Sequence, residues 1–534
     1  VRSTDDARRD AASGDAESPR DAALPIAFAR RVLATYDAPA YSPLHDRGLW
    51  IFAGVVALLT YGSELFSFSL SIDEELVTLP PHWLAWMLLG RWGHAAMMYV
   101  TPPFGGIPFI GTLIFCVGLA AAAVLFSALV ADGRARAFAF VAAFVSCPIW
   151  PHIAEFNTFS WGFAIGLVLC AAALLSLRVE GKGAMATAAL LLAYAIAIYQ
   201  TIAALFAVVA ALRFVLRCAS DDDSVARPRV AELMRAALAA IFGVAVYSAI
   251  TKAFLVTGIA QRAQIETYLH LSDLLRGDAG TRLKILERIK AIVAGTDPAY
   301  LDWGGAVLCV AWLGLAAVVW RLAFTGTIRV RARIGAVATL AGAFALALSP
   351  IVVSSGAIPM RALVALPALY AFCAACAFTL VARRNRLSWA LLAFAVATNI
   401  WISVSLFYSD SLARQRDALV AAALIPRIET VGRNNSKTAI RLSMSGTIHY
   451  ENFGPFHRVE VFGESMFGHD EGNIWRVVEY LKLMGLKNVT AVSLSSVPAA
   501  RTAVDSMPVW PDPRSVALVD GVVVVKFGDP SYSQ

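Results

Sequence analysis

Asp73, Glu74 and Glu75 stand side by side in the stretch SIDEELVTLPPHWLAWMLLGRWG, just where a long apolar segment ends. Adjacent carboxylates suit a general base acting on a hydroxyl, with a second acid orienting the substrate or a metal. Consecutive side chains on a helix point about 100° apart, so two of the three converge only at a helix end or turn. The competing reading is a solvated cap that marks where the bilayer stops. Glu64 lies inside the preceding apolar segment. A carboxylate at that depth is costly unless paired or neutral, so it is either a hydrogen bonder between helices or a lining residue of a cavity. Arg91 and Arg361 are candidates for a phosphate clamp, because a guanidinium grips phosphate oxygens bidentately and keeps its charge. Arginines snorkelling to the interface are the alternative. His94, Arg262 and Glu155 complete the candidate set for binding a polar substrate. In PHIAEFN, His152 and Glu155 are three apart and can share a helical face. No further ligands accompany them, so zinc is not indicated. A divalent metal beside the carboxylates stays open, and no other cofactor is suggested. Tyr199, Gln200, Tyr268 and His270 could also touch a polar ligand.

These residues sit in a membrane chain. Of 534 residues 58% are hydrophobic and 16% charged, whereas soluble domains are roughly 45–50% apolar and about 25% charged. The net charge of +7 reads as basic residues retained on the cytoplasmic side rather than as nucleic-acid binding. The seven cysteines lie in or beside apolar segments, and Cys373 and Cys376, although spaced C-x-x-C, fall inside a hydrophobic helix. They read as packing residues, because a redox or metal site needs an accessible thiolate.

A helix needs roughly 20 apolar residues to cross about 30 Å of hydrocarbon. On that criterion spans are expected near 49–70, 104–131, 136–150, 158–176, 184–199, 201–218, 236–257, 304–323, 334–353, 361–382 and 388–407, about eleven in all. Arg134, Arg136, Arg213, Arg217, Arg329, Arg331 and Arg383 fall in one set of loops, which is then cytoplasmic. The N-terminus is expected inside and the C-terminal region outside, in the periplasm of a bacterial inner membrane. Residues 1–48 look like a disordered cytoplasmic tail, with no cleaved signal peptide evident. Residues 49–407 form the membrane domain and 408–534 a small α/β domain. In the latter TAIRLSMSG, HRVEVFGE, VTAVSL and SVALVDGVVVVKF read as strands, and GNIWRVVEYLKLMG as a helix closed by Gly485. PPHWLAWMLLGRWGHAAMMYV reads as a helix lying in the outer interface, with Trp83, Trp86 and Trp92 at headgroup level. There is no Walker A loop and no G-x-G-x-x-G after a strand, which argues against ATP-driven transport.

A first span closed by S-I-D-E-E and followed by G-R-W resembles the membrane-embedded type II glucosyltransferases that modify O-antigen, the serotype-converting Gtr type. PMRALVALPALYAF resembles that family's Pro-x-Arg segment. NIWISVSLFYSDSLARQRDALVAAALIPRI resembles its last span and exit helix, and GESMFGHDEGN its outer tail. The resemblance runs from about residue 49 to the end, with Asp-Glu-Glu standing where Asp-Asp-Glu is common. It implies a GT-C-like polytopic helical fold and a glycosyltransferase. A polyprenyl-phosphate sugar would be the donor, and O-antigen, lipopolysaccharide or a related glycan the acceptor. A flippase and a lipid-sugar synthase would act in the same pathway, and the base would be Asp73 or Glu74. Other readings of the residues are a transporter or flippase of lipid-linked sugars, a non-enzymatic polysaccharide assembly protein, or another sugar-lipid transferase, polymerase or ligase. A transporter predicts paired broken helices in two related halves, and the sequence has no such symmetry.

Overall fold

The computed structural model describes residues 41–67, 69–77, 83–102, 107, 109–218, 226–261, 278–324, 330–380, 385–433 and 439–528. Arg262, Tyr268 and His270, and the expected tail apart from residues 41–48, lie outside the described residues.

The chain enters its first helix, α1 (Arg47–Phe66), through Asp46, whose side chain accepts the Leu49 N–H. Asp46 also pairs with Arg134 and accepts the Tyr41 hydroxyl, so residues 41–48 are tied down rather than free. Leu49, Ala53, Val56, Ala57, Thr60, Tyr61 and Glu64 are buried along one face of α1, the three-four spacing of a helix packed on one side. That stripe places Glu64 toward the protein interior and away from lipid.

Three short helices follow, α2 (Glu74–Val77), α3 (Trp83–Leu88) and α4 (Trp92–Val100). The expected interfacial helix is therefore two pieces. Gly90, at φ 71°, breaks it, a conformation that glycine adopts without cost. Trp86 and His94 are buried instead of lying at headgroup level. Then come α5 (Ile110–Val130), α6 (Arg134–Val145), α7 (Pro151–Ala154), α8 (Asn157–Ser176), α9 (Lys182–Ile198), α10 (Ile202–Cys218), α11 (Ala226–Val256), α12 (Ala279–Ala294), α13 (Gly304–Phe324), α14 (Val330–Val353), α15 (Leu366–Leu380) and α16 (Asn385–Arg433). Each of the eleven expected spans falls on a helix. By length and composition, seven among the described residues can cross a bilayer: α1, α5, α8, α11, α13, α14 and α16. Helices α9 and α15 are apolar but shorter, so eleven crossings do not follow. The expected last span and exit helix are one element, since α16 runs 49 residues as one helix, with Pro426 inside it.

Beyond α16 lies a four-stranded sheet: β1 (Ile440–Ser445), β2 (Val489–Ala491), β3 (Val516–Val519) and β4 (Val522–Lys526), ordered β2-β1-β4-β3. β1 is parallel to β2 and β4, and β4 is antiparallel to β3. All of β4 is buried, the pattern expected of a strand covered on both faces. Helix α17 (Ile474–Leu483) is capped by the Asn473 side chain and buries Val477, Val478 and Leu481. Helix α18 (Pro498–Ser506) had no counterpart in the sequence reading. HRVEVFGE is not a strand. It folds as a tight loop with an isolated bridge, Val459 to Phe462, and a second bridge, Phe453 to Phe456, comes just before it. SVALVDGVVVVKF is two strands turning at Asp520–Gly521, both at positive φ.

Candidate active site

The three acids begin where the loop after α1 turns back into the protein. Asp73 takes φ 78°, a left-handed conformation that Asp tolerates better than most residues but still pays for. The twist divides the acids. Asp73 keeps 45% of its side chain exposed, while Glu74 and Glu75 point inward and are buried.

Glu74 is fully engaged in holding the loop. Its Oε2 accepts the Ser71 N–H at 3.1 Å and its Oε1 the Thr158 N–H at 2.7 Å. Thr158 is the second residue of α8, so this amide is one of the donors left open at a helix start. Burial pushes the Glu74 carboxyl up to about 8, against the pull of those two amides. Burial also raises Glu75 to about 7, although Arg476 pulls it down. Glu155 is also raised well above the usual carboxylate range, by burial and then by the charge of Asp410. Burial acts on Asp73 too, but the Arg476 guanidinium outweighs it and holds Asp73 below the usual carboxylate range. Among these four neighbouring acids, Asp73 is the one that is both ionised at neutral pH and open.

The loop is braced underneath by alternate serines. Ser71 Oγ donates to Glu155 Oε1 at 2.7 Å and Ser69 Oγ to Asp410 Oδ2 at 3.0 Å. Asp410, Arg414 and Asp417 follow one face of α16. Arg414 lies 3.8 Å from Asp410 and 3.4 Å from Asp417 and reaches the Glu464 carbonyl. Asp417 accepts from Tyr450 Oη, Ser465 Oγ and the Met466 N–H. Glu64 is 3.5 Å from the Ser69 amide and from Asn157 Nδ2, at the limit for hydrogen bonding, and binds between helices beneath the acids.

The two candidate arginines are linked through Tyr199. The Arg91 guanidinium rests 5.4 Å from the Trp86 ring, 5.2 Å from Phe159 and 4.8 Å from Tyr199. Tyr199 Oη donates to the Arg361 carbonyl at 3.4 Å, so one tyrosine touches both residues. The Arg361 guanidinium lies 4.8 Å from the Phe156 ring and within electrostatic reach of Asp73. Such faces hold a cation without cancelling its charge. His94 is buried, its Nε2 donating to the Thr158 carbonyl at 3.0 Å. Burial lowers its pKa to about 3, so it is a neutral packing group against Trp86 and Phe159. Gly162 on α8 leaves that imidazole its room, since a Cβ there would strike Nδ1. His152 and Glu155 face different partners. His152 Nδ1 is 3.3 Å from Glu460 Oε2, and Glu155 binds Ser71.

Arg476, Glu460, Asp410, Arg414 and Asp417 did not enter the sequence reading. Arg476 Nη2 lies 2.6 Å from Asp73 Oδ1 and 2.8 Å from Glu75 Oε1, and its Nη1 is 3.0 Å from Asp470. Glu460 accepts the Met360 N–H at 2.7 Å, next to Arg361. The 410–414–417 spacing on one helical face was a visible signal, whereas nothing local marks Arg476.

Glu74→Gln leaves one of its two N–H partners facing an amide NH2, and a buried unsatisfied donor costs about 1–3 kcal/mol. Because burial raises the folded pKa of Glu74 from 4.5 to about 8, the stability that Glu74 contributes is fully present below pH 4.5 and is lost as pH climbs through 8. Glutamine cannot titrate. The stability gap between wild type and E74Q is thus widest in acid and narrows with rising pH, which thermal melts across that range will measure. A gap that widens with pH contradicts this account.

Seven helices among the described residues that are long and apolar enough to cross a bilayer, the first of them closed by a braced acid loop, mark a membrane protein. Residues 62–378, more than half of the chain, match the family described as Glucosyl transferase GtrII, and the protein belongs to that family. It is therefore a membrane glycosyltransferase by family, with a sugar donor and a glycan acceptor in general terms. No curated protein and no solved structure matches the chain.

Proposed function

We propose that the protein transfers glucose from a polyprenyl-phosphate donor to O-antigen, lipopolysaccharide or a related surface glycan, on the periplasmic side of the bacterial inner membrane. The observation that carries this reading is the separation of Asp73 from its neighbours: ionised and half-exposed, with Arg361 facing it, in a chain of glucosyltransferase family. Asp73 takes the proton of an acceptor hydroxyl. The acceptor oxygen bonds to the anomeric carbon as the bond from that carbon to the phosphate oxygen breaks. The polyprenyl phosphate leaves with the electron pair, and direct displacement inverts the anomeric centre. The donor brings its own leaving group, so no nucleotide loop is needed. Arg361 and Arg91 supply charge where negative charge grows, which is the larger part of such catalysis. Exposed Phe66, Leu76, Leu84, Tyr99 and Val100 beside the acid loop give a lipid tail a surface to approach along. On this reading the C-terminal sheet region lies outside.

The test is transfer from a short-chain polyprenyl-phosphate glucose to lipopolysaccharide by purified protein. Absence of any glucosylated product, with movement of the lipid across vesicles, would replace this reading with transport. Arg361→Ala is expected to lower kcat/KM for the lipid-phosphate donor by about 10- to 100-fold, the value of a charged hydrogen bond to phosphate, while leaving the melting temperature unchanged. Unaltered donor kinetics would remove Arg361 from the clamp.

A further inference from the structure

The acid loop is completed by a residue that lies beyond the segment matching the family. Arg476 occupies the first turn of α17, 403 residues after Asp73. Its guanidinium is 12% exposed and spans two parts of the chain. One nitrogen is tied to Asp470 of its own region at 3.0 Å, and the other lies within 2.6 Å of Asp73 Oδ1 and 2.8 Å of Glu75 Oε1. The Asp470 bond keeps the side chain from swinging away, so the contact with Asp73 is built from both ends. Arg476 engages Asp73 through Oδ1, and the Asp73 side chain remains 45% exposed.

We infer that Arg476 is a positioning residue for the transfer reaction: the C-terminal region fixes Asp73 Oδ1 and thereby presents Oδ2 to the acceptor hydroxyl. This rests on the reading of Asp73 as the base. The region is then part of the catalytic site and not a separate binding module. The groups that act on Asp73 are Arg476, Arg361 and His469 on the positive or neutral side, and Glu75 on the negative side, while Asp470 holds the other end of the Arg476 guanidinium. Removing Arg476 leaves Asp73 beside Glu75, with Arg361 as the remaining permanent cation of that set. Its proton affinity therefore rises, and less of it is ionised at a given pH.

The experiment is the pH dependence of kcat/KM for the full-length protein in lipid nanodiscs. Polyprenyl-phosphate glucose and lipopolysaccharide serve as substrates for wild type, Arg476→Ala, Arg476→Lys and Asp73→Asn. The acid limb of R476A is expected to move upward by about one to two pH units, the effect of losing an opposite charge at this distance. R476K should lie between, and added guanidinium should restore part of the R476A rate near neutral pH. A purely structural role would lower the rate equally at every pH, without rescue. That outcome, or full activity with an unmoved limb, overturns the inference while Asp73 stays the base. Full activity in D73N, or no transfer by wild type, overturns the reading of the site and this inference with it.

Discussion

Asp73→Asn is expected to lower kcat for glucose transfer by about 10²–10⁴-fold, the usual contribution of a positioned general base. The amide is nearly isosteric and cannot take a proton at Oδ2. It can still offer an oxygen to Arg476, so the contact between the C-terminal region and the loop loses charge but not shape. Asp73 is half-exposed, and the ion pair it forms there adds little to stability. The melting temperature and the yield of monodisperse protein should therefore match wild type. Donor binding, read by lipid-phosphate competition, should also persist, because the arginines are untouched. Wild-type turnover in D73N would exclude this carboxylate as the base. Loss of folded protein would mean that the strained turn at φ 78° depends on the charge.

The second large effect is on folding. Arg414→Met removes the guanidinium between Asp410 and Asp417, all three buried. Breaking a buried ionic group by deleting one partner costs about 3–5 kcal/mol, because the remaining charge is left uncompensated. The two acids will not suffer equally. Asp417 keeps three hydrogen bonds, from Tyr450, Ser465 and Met466. Asp410 keeps the Ser69 hydroxyl, which belongs to the loop that carries Asp73. The damage should spread along that serine into the acid loop, and R414M should lose both thermal stability and transfer. Adding Asp410→Asn should recover part of the stability. An unchanged melt for R414M would show that water or protonation compensates the pair at little cost.

Much of this architecture was legible in the sequence. The helical segments were readable from apolar length alone, and the acid loop from charge placed at the end of α1. Which acid does what was not readable. Glu74 is committed by the Thr158 amide, 84 residues away, and Asp73 by Arg476, 403 away. No local pattern encodes either contact. The aromatic stretch before Val100 was read as one interfacial helix because its composition fits a headgroup layer. Gly90 instead lets the chain fold back, and Trp86 stacks on Phe159 inside. In HRVEVFGE the alternation mimics a strand, but the chain turns at Glu460, φ 52°, between the bridged Val459 and Phe462. The Asp520–Gly521 pair is a hairpin signal, and it splits what read as one long strand.

The length of α16 has a geometric meaning. At about 1.5 Å per residue, 49 residues measure roughly 73 Å, more than twice the about 30 Å of a bilayer's hydrocarbon core. The surplus carries the chain past Pro426 to the sheet region. On the proposed reading, the length of this one helix sets how far beyond the membrane span the region that grips Asp73 begins.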